Sequence, residues 1–168
     1  MIMEELKSKL EKAFGSAKIS SNYSNNLAIE LDETQAISML SYLKNLGYKH
    51  LALISCVDWI EDNQFELVYV LSAYMPSDDS YSEKEKLNII VKTRISREEA
   101  KYISIIDIFE NAEPYEREIH ELFGIHFEGH PRLTPLFLVL KYDKPPFRKD
   151  FDTRQFVDDY FGNIPPVE

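Results

Sequence analysis

The sequence predicts an α+β fold: a two-layer sandwich in which a mainly antiparallel sheet carries helices on one face, followed by an extended C-terminal tail. Three observations lead there. Near the N-terminus and again before Gly47, apolar residues recur at helical spacing. Three successive runs rich in β-branched and aromatic residues are separated by polar loops. From Lys141 onward the chain turns to Pro, Asp and aromatic residues without a sustained period. With 168 residues, one domain long enough to bury a core is expected, drawn as 1–140, with an extended tail at 141–168 that is expected to wrap a neighbouring chain.

Each element has a local reason. In "EELKSKLEKAF", Leu6, Leu10 and Phe14 form one stripe of an amphipathic helix, and Gly15 stops it. "AKISSNYSNNLAIEL" reads as a hairpin broken between Asn22 and Asn26. "DETQAISMLSYLKNLG" opens on Asp32 as an N-cap and closes on Gly47, giving a second helix. "HLALISCVDWI", "FELVYVLSAY" and "KLNIIVKTRIS" are strands most simply joined as two hairpins. The loop "MPSDDSYSEKEK" between the latter two is polar and charged, so it is expected to project into solvent. Helices are expected across "ISREEAKYISIIDIFENA", ending near Asn111, and from Pro114 to Gly124. Ile125 and Phe127 then alternate with His126 and Glu128, Gly129-His130-Pro131 forces a turn, and "RLTPLFLVL" resumes as an extended segment.

Composition narrows the function. A net charge of −10 without a broad basic stripe argues against nucleic acid as a partner. No apolar run reaches the roughly 18 residues that a membrane helix needs, and "MIMEELKSKLEKAF" lacks a signal-peptide core, so a cytoplasmic location without membrane insertion is the default. Cys56 is the single cysteine, which excludes an intrachain disulfide and the usual iron–sulfur or Cys-rich zinc sites. In "LALISCVDW" it reads as a small buried hydrophobe rather than a nucleophile.

The chemistry-bearing segment is "YEREIHELFGIHFEGHPRLTPL", Tyr115 to Leu136. Tyr115, Ile119, Leu122 and Phe123 share one helix face, and Arg117 and Glu121 can pair at i, i+4. His120, His126 and His130 offer ligands separated by five and three residues, which would suit a self-sufficient metal-dependent enzyme. Gly124, Gly129 and Pro131 break the register, however, so no two of them share a helix face. Glu116, Glu118 and Glu121 offer an acid/base pair, but Arg117 between them points to neutralising ion pairs on a surface that is solvated or faces a partner.

These residues carry a resemblance. Glu116-Arg117-Glu118, then Glu121-Leu122-Phe123-Gly124-Ile125, then Phe127 and Gly129-His130-Pro131, resemble the signature of the NADH dehydrogenase C-subunit family, the so-called 30 kDa subunit of respiratory complex I. The family also supplies a small subunit to membrane-bound [NiFe] hydrogenases and related complexes. Cys56-Val57-Asp58-Trp59 and "PPFRKDF", Pro145 to Phe151, extend the similarity over residues 50 to 151. Its members commonly have Tyr-Asp or Trp-Asp where this chain has His120-Glu121, Asp-Leu and two arginines where it has Arg132-Leu133-Thr134-Pro135, and Leu where it has Phe147. Those departures point toward a hydrogenase-type complex or related reductase rather than an NADH:quinone oxidoreductase.

The resemblance implies a non-catalytic assembly subunit of the hydrophilic arm of a membrane-bound, ion-translocating oxidoreductase. Such a subunit lies on the cytoplasmic side, peripheral to the membrane, and has no cofactor of its own. Iron–sulfur clusters and nickel–iron belong to its partners, a large subunit of the complex I or hydrogenase type and a small iron–sulfur subunit. The implied partner-binding residues are Glu116, Arg117, Glu118, Glu121, His126, Glu128, His130, Arg132, Phe147, Arg148, Lys149, Asp150 and Phe151.

Overall fold

The computed structural model describes residues 2–23, 25–73, 87–139 and 142–162. Helix α1 (Ile2–Ala13) leads into the hairpin β1 (Lys18–Tyr23) and β2 (Asn26–Asp32), then α2 (Glu33–Asn45) and β3 (His50–Trp59). After a single 3-10 turn come β4 (Gln64–Ser72), β5 (Asn88–Ser96) and the short β6 (Lys101–Ile103). Helix α3 (Ala112–Phe123), the short β7 (His126–Glu128) and α4 (Thr153–Phe161) follow.

The main sheet has the order β1-β2-β5-β4-β3. Helix α2 carries the chain from β2 to the far edge, and two antiparallel hairpins bring it back until β5 lies parallel to β2. This is the expected α+β sandwich, mainly antiparallel with one parallel pair. Alternation fixes its inner face: Leu27 and Ile29, Phe65, Leu67, Tyr69 and Leu71, and Ile89 and Val91 are all buried. They pack with Leu6 and Leu10 of α1, Met39, Leu40 and Leu43 of α2, and Ile119 of α3 in one core. The outer face of β4 and β5 is held by ion pairs instead, with Glu66 between Lys92 (3.7 Å) and Arg94 (3.5 Å).

Gly47, at φ 102°, ends α2 as its sequence position requires. Asp32 occupies the N-cap position of that helix but makes no side-chain capping bond. Two expectations are corrected. No helix spans "ISREEAKYISIIDIFENA": β5 runs through Ser96, Ala100 turns the chain at φ 45°, and Lys101–Ile103 pair in parallel with His126–Glu128. The apolar residues there fit either period; Tyr102 is buried from β6, and Ile105 and Phe109 from the irregular backbone that follows. In the tail, α4 interrupts the irregular chain. The Asp152 side chain accepts from Gln155 N at 3.0 Å and caps it. The expected solvent loop 75–86 lies outside the described residues.

Candidate docking site

Two clusters on the α3 side of the molecule bring together most of the residues singled out by the sequence. The first centres on Asp58. A bulge between Leu51 and Leu53 shifts the register of β3, so Ile54, Cys56 and Asp58 all point inward. Asp58 is therefore only 3% exposed, and such a charge must be paired. Arg97, just past β5, meets it with two bonds, Nε to Oδ1 at 2.8 Å and Nη2 to Oδ2 at 3.2 Å. The same Nη2 reaches Asp150, and Lys149 N donates to Asp58 Oδ2 at 2.8 Å. Hydrogen bonding to Asp58 raises the Arg97 pKa further. Desolvation is the largest single influence on Asp150 and opposes its ionisation, but the bond and charge of Arg97, a backbone hydrogen bond and the charge of Lys144 together outweigh it and leave that carboxyl below its ordinary value.

The element "PPFRKDF" is thus clasped to the body of the domain. Phe147 N donates to Leu122 O at 2.9 Å and Arg148 Nε to Phe123 O at 2.7 Å, capping the last carbonyls of α3. The Arg148 guanidinium lies 5.1 Å from the Phe65 ring centroid, and Phe123 makes edge contacts with both Phe65 and Phe147. Burial and the nearby Arg97 lower the Arg148 pKa. Gly124 has φ 75°, and a Cβ there would stand 2.7 Å from Pro145 Cγ and 3.1 Å from Arg148 Nη2. The glycine that ends α3 is also the floor on which the clasp rests.

The second cluster is α3 with the segment that follows β7. Arg117 does not pair with Glu121. It bonds Glu113 at 3.3 Å and donates to Thr134 O and Pro135 O at 3.1 and 3.0 Å. Glu121 accepts three successive backbone amides, Leu136 N at 3.1 Å and Phe137 N at 2.9 Å on Oε2, and Leu138 N at 2.8 Å on Oε1. Arg132 adds a 3.4 Å bond to Glu113. Glu116 requires a correction, because it is fully buried and not on the surface of this chain. It accepts from Ser104 Oγ at 2.6 Å and Ile105 N at 2.7 Å, which ties α3 to the turn after β6. Burial raises its pKa, and those two bonds offset part of the rise.

The remaining candidates scatter. Glu118 is half-buried on α3, while His126 and Glu128 are exposed on β7. The Lys149 ammonium lies 6.0 Å from the Trp59 ring, and Phe151 packs on Tyr142 and Phe156 within the tail. The three histidines form no common site, although the His120 and His126 rings meet edge to face with centroids 6.4 Å apart. His120 Nδ1 bonds Ile125 O at 2.9 Å, and His130 accepts Arg132 N on Nδ1 at 3.0 Å while its Nε2 bonds Glu113 O at 3.3 Å. Both His130 nitrogens are therefore occupied, and among the described residues no three His, Cys, Asp or Glu side chains form a group that could hold a metal. Cys56 is buried, with its thiol pKa pushed well up by desolvation and by Asp58, so it is not a poised thiolate.

Sequence reasoning missed Arg97. A signal existed: Asp58 has the same strand parity as Cys56, which reads as buried, and a buried carboxylate implies a cation from elsewhere. It also missed Asn111 and Tyr115, which donate to Leu51 O and Ala52 O at 2.8 Å each and cover the free edge of β3 beside α3.

Comparison with known proteins gives a consistent answer. The family described as "Respiratory-chain NADH dehydrogenase, 30 Kd subunit" matches residues 29–157. The C-subunit of the F420H2 dehydrogenase of Methanosarcina mazei is 32% identical over 155 residues, covering 90% of each chain. The C-subunit of the NADH-quinone oxidoreductase of Agrobacterium fabrum is 25% identical, covering 96% of this chain and 78% of its own. Among solved structures, a trypsin-resistant fragment (1-134) of Nqo5 is 27% identical with a TM-score of 0.66, covering 79% of this chain and all of that one. A chain of the archaeal membrane-bound sulfane sulfur reductase, a respiratory membrane complex, matches all of this chain and 96% of its own at a TM-score of 0.82; at 24% identity that likeness is one of fold.

Proposed function

The chain belongs to the family of the respiratory-chain NADH dehydrogenase 30 kDa subunit, and from that premise we propose that it is a non-catalytic assembly subunit of a membrane-associated, complex I-type oxidoreductase. The observation that carries this reading is how the charged groups of the site are used. Asp58, Arg97, Arg117, Glu121, Arg148 and Asp150 all hold parts of their own chain in place. Such a site shapes a surface and offers no reacting centre. Its docking face comprises the outer side of α3, the segment 132–139 and the clasp 145–151, and its partners are a large subunit and a small iron–sulfur subunit.

Within this class we assign the chain to a hydrogenase or related reductase rather than to an NADH:quinone oxidoreductase. Supporting this are the departures at His120-Glu121 and Arg132 to Pro135. No helix among the described residues is long and apolar enough to cross a membrane, so attachment at the cytoplasmic side would run through the partners. Clusters, nickel–iron and ion translocation would be theirs as well. A tagged copy of the chain, purified from source-cell membranes in mild detergent, should bring down cluster-bearing and membrane-embedded subunits. Their identities would distinguish hydrogenase from other reductases, and recovery of the chain alone would refute the assignment.

A further inference from the structure

The two charged side chains that reach outward from α3 do something more specific than line a docking face. Arg117 and Glu121 stand one turn apart and grip the same strap, the cation taking two carbonyls and the carboxylate taking the next three amides. Arg117 is itself anchored by Glu113. Leu133 packs against the core, and Leu136 and Leu138 turn half inward. Between and beyond them Phe137 and Val139 point into solvent, 65% and 97% exposed. Two apolar side chains are thus displayed in sequence on backbone that has already been ordered.

We propose that Arg117 and Glu121 are positioning residues that hold residues 133–139 as a preformed apolar ridge, whose Phe137 and Val139 insert into an apolar pocket on another subunit of the same complex. This rests on the assembly role proposed above. The backbone geometry selects the mode of binding. With amides 136–138 committed to Glu121, the strap cannot pair there as an added strand, so side-chain insertion is what it offers. Fixing the strap before the encounter removes an ordering cost that a free segment would meet on binding.

Hydrogen exchange on the isolated full-length chain tests the clamp. The amides of Leu136, Phe137 and Leu138 should exchange at least about tenfold more slowly in the wild type than in Glu121→Ala, with the rest of the domain unchanged; equal rates would overturn the clamp. Tagged chains carrying Phe137→Ser and Val139→Ser together should recover at least about tenfold less of the complex's other subunits, although the isolated variant melts like the wild type. A photo-crosslinker at position 137 should label one of those subunits. If the wild type and the double variant recover the complex equally, the ridge is wrong while the assembly role stands. If the wild type recovers no other subunit, the assembly role itself falls, and the ridge with it.

Discussion

Asp58 shows at the scale of one residue how this sequence places its charges. Removing it leaves Arg97, itself largely buried, with Asp150 alone, and takes the acceptor from Lys149 N. Asp58→Ala should therefore lower stability by about 3 kcal/mol, the lower end for breaking a buried pair, as measured by urea unfolding of the isolated chain. Gly124→Ala combines left-handed strain with a collision against Pro145, together about 2 kcal/mol, and should speed tryptic cleavage at Arg148 and Lys149. Gly129→Ala is the control, because a Cβ there meets nothing within 4 Å although φ is 86°. It should cost strain alone and leave the clasp closed. Glu116 carries the pH dependence. Its folded pKa lies above the ordinary 4.5, so its contribution to stability is present in full below the unfolded value and is lost as pH rises through the folded one. The stability advantage of wild type over Glu116→Gln should shrink as pH climbs from about 4.5 toward neutrality; an advantage that grows with pH would contradict the buried, proton-retaining carboxyl.

At the scale of elements, the regular strands and first two helices were legible because their periods are unmixed and their ends carry turn residues such as Gly47. The stretch after β5 was not. Its apolar positions suit a helix or an alternating strand equally, and the choice is made by contacts far along the chain, Arg97 to Asp58 and Ser104 to Glu116. The same holds for α3, where the local expectation joins Arg117 to Glu121. The groups they find instead, Thr134 to Leu138, belong to a segment whose sequence announces no regular structure. In the tail the aromatics are partners for one another: Phe156 stacks on Tyr142 at 4.6 Å and lies 5.6 Å from Phe151. Helix α4 follows from that cluster and the Asp152 cap rather than from a periodic stripe. A chain ending after Phe151 should accordingly keep the stability of the full chain in urea, whereas one ending after Lys144 should lose much of what Asp58→Ala loses, since Lys149 N and Asp150 go with it.

Across the whole molecule, the sandwich is a platform whose β3 edge and α3 face carry two lengths of irregular chain, the strap and the clasp. Both are fastened by ionised side chains, and both leave apolar groups outside, Phe137 and Val139 on one and Phe147 on the other. The family motifs fall where these fastenings are: Cys56 to Trp59 supplies Asp58, Glu121 to Ile125 supplies the amide clamp and the glycine floor, and "PPFRKDF" is the clasp itself. The motifs could be read from the sequence, but their mutual contact could not, because Asp58 and Lys149 are separated by 91 positions. As proposed, this chain is a shaped support with no reacting centre, and the most direct test compares it alone and in its complex. The isolated chain, purified gently, should contain no stoichiometric iron, nickel, zinc or flavin and show no oxidoreductase activity, while the complex assembled on it contains the metals of its partners and is active. One tightly held metal per isolated chain, lost on changing His126 and His130 to Ala, or turnover by the chain by itself, would contradict it.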